Sequence, residues 1–154
     1  IGFEILASIL SFGRNSRLVK VLKEEKNLVQ SIYVDVNAGE LGSLFIIEAC
    51  CNKVNLKVVE EEINEILREV ANFKNPTQQE LRKAINIVKS NYIFNLETST
   101  QLTSFFGNEL LWGRKNTLND LNNHLDYWNN TNNFKEIINY LSRNKFTLIA
   151  STSK

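Results

Sequence analysis

Histidine occurs once in these 154 residues, proline once and methionine not at all, and the only two cysteines, Cys50 and Cys51, are neighbours. Each scarcity excludes something. A catalytic zinc centre draws three protein ligands from His, Glu, Asp and Cys and leaves one position open for water. With His124 as the sole imidazole, an H-x-x-E-H helix, whose Glu is the general base, cannot be written here. A vicinal cysteine pair makes no disulfide framework, because the bridge is strained, and such free thiols favour a reducing compartment. The pair reads as two small apolar residues at the end of a strand. Apolar runs are short and cut by charges, so no segment spans a bilayer, and the first residues carry no signal-peptide pattern. Lys and Arg total 18 against 17 for Asp and Glu, a formal net charge of +1. That balance removes the electrostatic ground for binding nucleic acid or an anionic membrane surface. No glycine-rich phosphate loop or dinucleotide fingerprint is present.

What is there is a chain with 43% hydrophobic content, expected to form a single domain over residues 1–154 with its own core. Ile1 falls inside an apolar helical pattern (Phe3, Ile5, Leu6, Ile9, Leu10) with no cap before it, so the chain is expected to be a fragment of a longer polypeptide. The spacing predicts helices over 3–12 and 16–26 separated by Gly13. Residues 29–36 alternate, with Ile32, Val34 and Val36 on one face and Ser31, Tyr33 and Asp35 on the other. An Asn- and Gly-rich turn over 37–42 returns the chain as a second strand over 43–50.

A long amphipathic helix follows from Leu56 to about Phe73, its face of Val59, Ile63, Ile66, Leu67 and Val70 opposed by Glu60, Glu61 and Glu62. Thr77 and Glu80 form a capping box that opens a helix through about Asn95. Further helices are expected up to Gly113, from Thr117 with Asp120, and from a cap at Asn132 or Asn133, before a closing strand over 145–151. The class is α+β: an antiparallel or mixed sheet of three or four strands with helices layered on one face.

Side chains able to do chemistry are few. His124, in NNHLDYW, reads as a partly exposed helix residue. Pairing it with Cys50 or Cys51 as a nucleophile would need a neighbour that lowers the thiol pKa, and the flanking residues offer none.

The segment from Gly13 to Tyr33, GRNSRLVKVLKEEKNLVQSIY, resembles the G-x-x-S-R-L…L-R-E-E-x-x-L-x-Y-S stretch of the insulinase/pitrilysin (inverzincin) zinc peptidases, in the repeat that holds no metal. The Pro76-Thr77…Glu80-Leu81 helix start, the Glu97-Thr98-Ser99 helix and the Asn139-Tyr140-Leu141 helix before the last strand follow in the same order. The resemblance implies an α+β repeat that walls a peptide-binding chamber opposite the catalytic site. It implies no cofactor and no catalytic residue in this fragment, with zinc in a homologous catalytic repeat of the same chain or of a partner subunit. Peptide or unfolded polypeptide is the implied substrate; nucleic acid and membrane are not implied partners. The alternative is an inactive scaffold or peptide-holding subunit that assembles with an active homologue. In the family an Arg in the L-R segment and a Tyr seven residues later hold the substrate backbone; the matching positions are Lys23 and Gln30. Lysine keeps the charge without the planar fork, and glutamine keeps a donor and an acceptor without the phenol. Arg17 matches the S-R-L element and is expected to be a structural anchor at the helix start.

Overall fold

The computed structural model describes residues 1–39, 41–72, 76–113, 117–143 and 147–151. Helix α1 (Gly2–Ser11) turns Ile5, Leu6, Ile9 and Leu10 inward. It stops at Gly13, whose φ of +88° lies where a Cβ would be strained. The Gly13 carbonyl accepts the Ser16 N–H at 3.0 Å and the Ser16 hydroxyl at 2.6 Å, which turns the chain into the next segment. That segment, expected as an ordinary helix, winds as a π-helix over Val19–Glu25. Lys26 N–H reaches back five residues to the Val21 carbonyl at 2.9 Å. Asn27 then adopts a φ of +49°, and Leu28 N–H donates to the Leu22 carbonyl at 2.8 Å, closing the turn into the sheet.

Strands β1 (Val29–Ala38) and β2 (Ser43–Cys51) pair antiparallel, with Ala38 opposite Ser43 and Val34 opposite Ile47. Across the loop, Gly39 N–H donates to the Gly42 carbonyl at 3.0 Å; a Cβ on Gly39 would lie 2.7 Å from that oxygen, so only glycine fits. Ile32, Val34, Phe45, Ile47 and Cys51 pack on or within the core and Val36 is half-buried, whereas Tyr33, Asp35, Glu48 and Cys50 face outward. Val29 is also buried although it is out of phase with Ile32. A register shift between Val29 and Ser31 supplies the extra residue that resets the alternation.

Among the described residues a 3-10 turn (Lys53–Asn55) follows β2, and then come five α-helices: α2 (Leu56–Asn72), α3 (Gln78–Phe94), α4 (Ser99–Leu111), α5 (Thr117–Trp128) and α6 (Thr131–Arg143). The capping box of α3 is formed as expected: Thr77 Oγ1 accepts Glu80 N–H at 3.2 Å and Glu80 Oε2 accepts Thr77 N–H at 2.8 Å. A second box, Thr98 with Gln101, opens α4. For α6 the capping residue is Asn130, whose Oδ1 accepts Asn132 N–H at 2.9 Å, in place of Asn132 or Asn133. Val59, Ile66, Leu67 and Val70 of α2 meet Phe134, Ile137, Ile138 and Leu141 of α6 in one buried cluster with Leu18, Leu22 and the inner face of the hairpin. Each such side chain contributes roughly 1.5–3 kcal/mol by leaving water.

The strand count is a correction. Among the described residues the sheet has two strands, β1 and β2, where three or four were expected. The described part of the closing segment, Thr147–Ser151, takes no strand conformation, and Ile149 is 88% exposed. β-branched composition becomes a strand only beside an edge to pair with, and this segment lies on none. Glu40, Phe73, Lys145, Phe146 and the side chains of Thr117 and Leu118, on which expectations also fell, lie outside the described residues. The architecture is α+β with helices covering the inner face of the hairpin, and no described helix is long and apolar enough to cross a membrane.

Candidate functional site

The residues singled out by sequence follow one another along the path from the Gly13 turn into β1. Arg17 leaves the turn and meets α3: Nε donates to Glu80 Oε1 at 2.9 Å and Nη2 to Oε2 at 3.1 Å. This parallel fork is the strong geometry for a guanidinium on a carboxylate. Glu80 thereby serves two ends at once, since the same carboxylate also accepts the Thr77 amide. Burial pushes the Glu80 carboxyl up, but the Arg17 hydrogen bonds, the Thr77 amide and the Arg17 charge outweigh it and hold it below its ordinary value.

Lys23 is exposed in the π-helix, between the buried Leu22 and the exposed Glu24. An ion pair between Lys26 and Glu62 ties the end of this π-helix to α2, and Lys20 lies 3.7 Å from Glu25 across it. Gln30 sits at the β1 bulge, exposed, where its Oε1 accepts the Cys50 thiol at 3.6 Å on the outer face of the hairpin. Lys23 and Gln30 therefore flank the Asn27 turn from either side, while Arg17 is drawn to α3. A flexible ammonium and a carboxamide in these positions can meet a peptide carbonyl and a peptide N–H.

Cys51 packs on the core and Cys50 is exposed, so only one of the pair behaves as a buried apolar residue. His124 is exposed on α5. Among the described residues no three His, Cys, Asp or Glu side chains gather closely enough to share a metal ion, and the donor set does not fit a zinc centre. Sequence reasoning named Arg17 as an anchor and placed Glu80 in its capping box but gave no sign that the two meet, because they are 63 residues apart. The bulge did leave a trace: Val29 is apolar and out of step with Ile32.

Residues 1–88 match the family described as the peptidase M16 inactive domain. The chain belongs to that family. A protein of Bacillus subtilis (strain 168) described as an uncharacterized zinc protease, YmxG, is 30% identical over 146 residues, covering 93% of this chain and 34% of its own length. A solved protease from Helicobacter pylori superposes with a TM-score of 0.76 at 23% identity, over 90% of this chain and 33% of its own. A peptidase M16 inactive domain from Pseudomonas fluorescens superposes with a TM-score of 0.67 at 18% identity, over 90% of this chain and 33% of its own. The two structures bear on the fold. This M16 chain spans about a third of the length of each of these relatives. It is an inactive domain of a zinc-protease-like protein, and the insulinase/pitrilysin resemblance of residues 13–33 stands.

Proposed function

We propose that this M16 inactive domain forms the wall of a peptide-binding chamber facing a zinc-bearing catalytic repeat, and that Lys23 and Gln30 hold the backbone of an extended substrate while Arg17 anchors the segment that carries them. The observation that carries the reading is the family match over residues 1–88, in a chain whose single histidine cannot supply an H-x-x-E-H zinc motif. The exposure of Lys23 and Gln30 on either side of one tight turn supports it. So does the Arg17–Glu80 fork, which fixes the start of the π-helix against α3. Residues 1–154 act here as one domain of a longer protein, and zinc belongs to the catalytic repeat.

The test compares the 154-residue chain with its natural full-length protein. The short chain should bind no stoichiometric zinc by calorimetry and cleave no unfolded peptide. The full-length protein should cleave one in a chelator-sensitive manner. Chelator-sensitive hydrolysis by the short chain alone would overturn the assignment.

One observation favours a second reading, a peptide-holding or scaffold subunit assembled with an active homologue. Lys23 and Gln30 stand where the family's substrate-holding Arg and Tyr are expected, and neither keeps the planar fork or the phenol. Under that reading the full-length protein cleaves nothing until the homologue is added.

A further inference from the structure

The turn between Lys23 and Gln30 is an uncommon piece of backbone. A π-helix of seven residues, Val19–Glu25, leads into it, and such winding is rare in proteins and frequent at functional sites. Asn27 leaves it with a φ of +49°, a left-handed conformation that asparagine visits more readily than other residues with a Cβ but still at a cost. Backbone of this kind persists only where its surroundings hold it. Two local bonds help, from Lys26 N–H to the Val21 carbonyl at 2.9 Å and from Leu28 N–H to the Leu22 carbonyl at 2.8 Å.

The contacts that hold the turn from outside come from a single stretch of chain, the one that follows β2. Lys26 Nζ donates to Glu62 Oε1 on α2. On the other side of Asn27, the Leu28 carbonyl accepts Asn55 Nδ2 of the 3-10 turn at 3.5 Å, a long bond. Within the π-helix Glu25 pairs instead with Lys20 at 3.7 Å. The Glu62 side chain is 24% accessible and that of Lys26 46%, so the carboxylate is the seated half of the pair and the ammonium comes to it. Glu62 also stands on a helix fixed by the core, since Val59 and Ile66 on either side of it are buried. Lys26 lies three residues after Lys23 and four before Gln30. Solvent screens a pair this exposed, so its share in overall stability is small; its effect falls on where the turn sits.

We infer that Glu62 is a positioning residue: through Lys26 it fixes the Asn27 turn against α2, and with it the spacing and direction of Lys23 and Gln30. The inference rests on the reading of those two side chains as substrate contacts. Glu62 itself touches no substrate.

Two measurements on the natural full-length protein test it. In Glu62→Ala the Leu28 amide should exchange roughly two- to fivefold faster, with the urea midpoint nearly unmoved, because an exposed pair governs local opening more than global unfolding. The Kd for a fluorescein-labelled unfolded peptide, followed by anisotropy, should weaken by a similar factor. The charge-swapped double variant, Lys26→Glu with Glu62→Lys, should restore both. In a background of Lys23→Ala with Gln30→Ala, adding Glu62→Ala should change the Kd no further, since a residue that acts only through those two has nothing left to place. If the peptide does not bind, or if Lys23→Ala with Gln30→Ala leaves its Kd unchanged, the substrate-contact reading fails and takes the inference with it. If those two variants weaken binding while Glu62→Ala leaves the Kd or the Leu28 exchange as in wild type, the inference alone falls. A swap that does not restore the Kd, or a loss that persists in the alanine background, would mean that the Glu62 charge meets the peptide directly, and overturns it equally.

Discussion

At the scale of single residues, Arg17 and Glu80 join two segments that the sequence keeps far apart. The pair is partly exposed, with side-chain accessibilities of 18% and 35%, so solvent screens it and its share is modest. Arg17→Ala is expected to cost about 1 kcal/mol, read as a fall in the urea midpoint. The pH dependence has a definite sign. Because the Glu80 carboxyl is held below its ordinary value of 4.5, its contribution is fully present above that value and drains away as pH falls through the lowered one. Glu80→Gln should therefore destabilise the domain at about pH 7 and do so by less at a pH well below 4.5. Equal differences at both pH values would show that the charge of Glu80 is irrelevant. For the proposed substrate contacts, Lys23→Ala and Gln30→Ala should each raise KM of the full-length protein by about two- to tenfold, with kcat nearly unchanged. A fall in kcat alone would point to a role in the chemical step instead.

Elements show where local reading succeeds and where it stops. The capping box of α3 was legible because all its atoms lie within four consecutive residues, Thr77 to Glu80. So was the hairpin, fixed by the alternation through Ile32, Val34 and Val36 and by the glycine pair Gly39 and Gly42. The π-helix was not: its apolar spacing of Leu18 and Leu22 suits an α-helix equally well, and the wider turn is held by the Lys26–Val21 bond and the Asn27 exit. Lys23 and Gln30 could be named from the pattern, but the turn and bulge that display them could not. Helix α4 departs furthest from its neighbours, because none of its residues is buried and Leu110 and Leu111 are 80% and 82% exposed. Leu110→Glu with Leu111→Glu should leave the unfolding free energy of this chain within about 0.5 kcal/mol of wild type while lowering its binding of a hydrophobic dye. A loss well beyond that would mean that α4 packs against the domain.

For the whole molecule, the order of elements followed from periodicity, but the extent of the sheet did not, since a strand needs a partner that periodicity cannot supply. The contrast can be measured with two substitutions. Phe134 is 1% exposed, and its ring meets Trp128 edge-on at 6.5 Å, within the cluster that unites α2, α6 and the hairpin. Phe134→Ala removes a ring from close-packed surroundings that collapse only in part, so about 3–5 kcal/mol should be lost, enough to unfold a marginal domain. Ile149 is as β-branched and apolar as any residue of β1, yet it lies in water, so Ile149→Ser should cost less than about 0.5 kcal/mol in this 154-residue chain. Urea titrations of both variants check the pair. If Ile149→Ser proved as damaging as a core truncation, the closing segment would be a docked strand after all, and the two-stranded sheet would be the element in error.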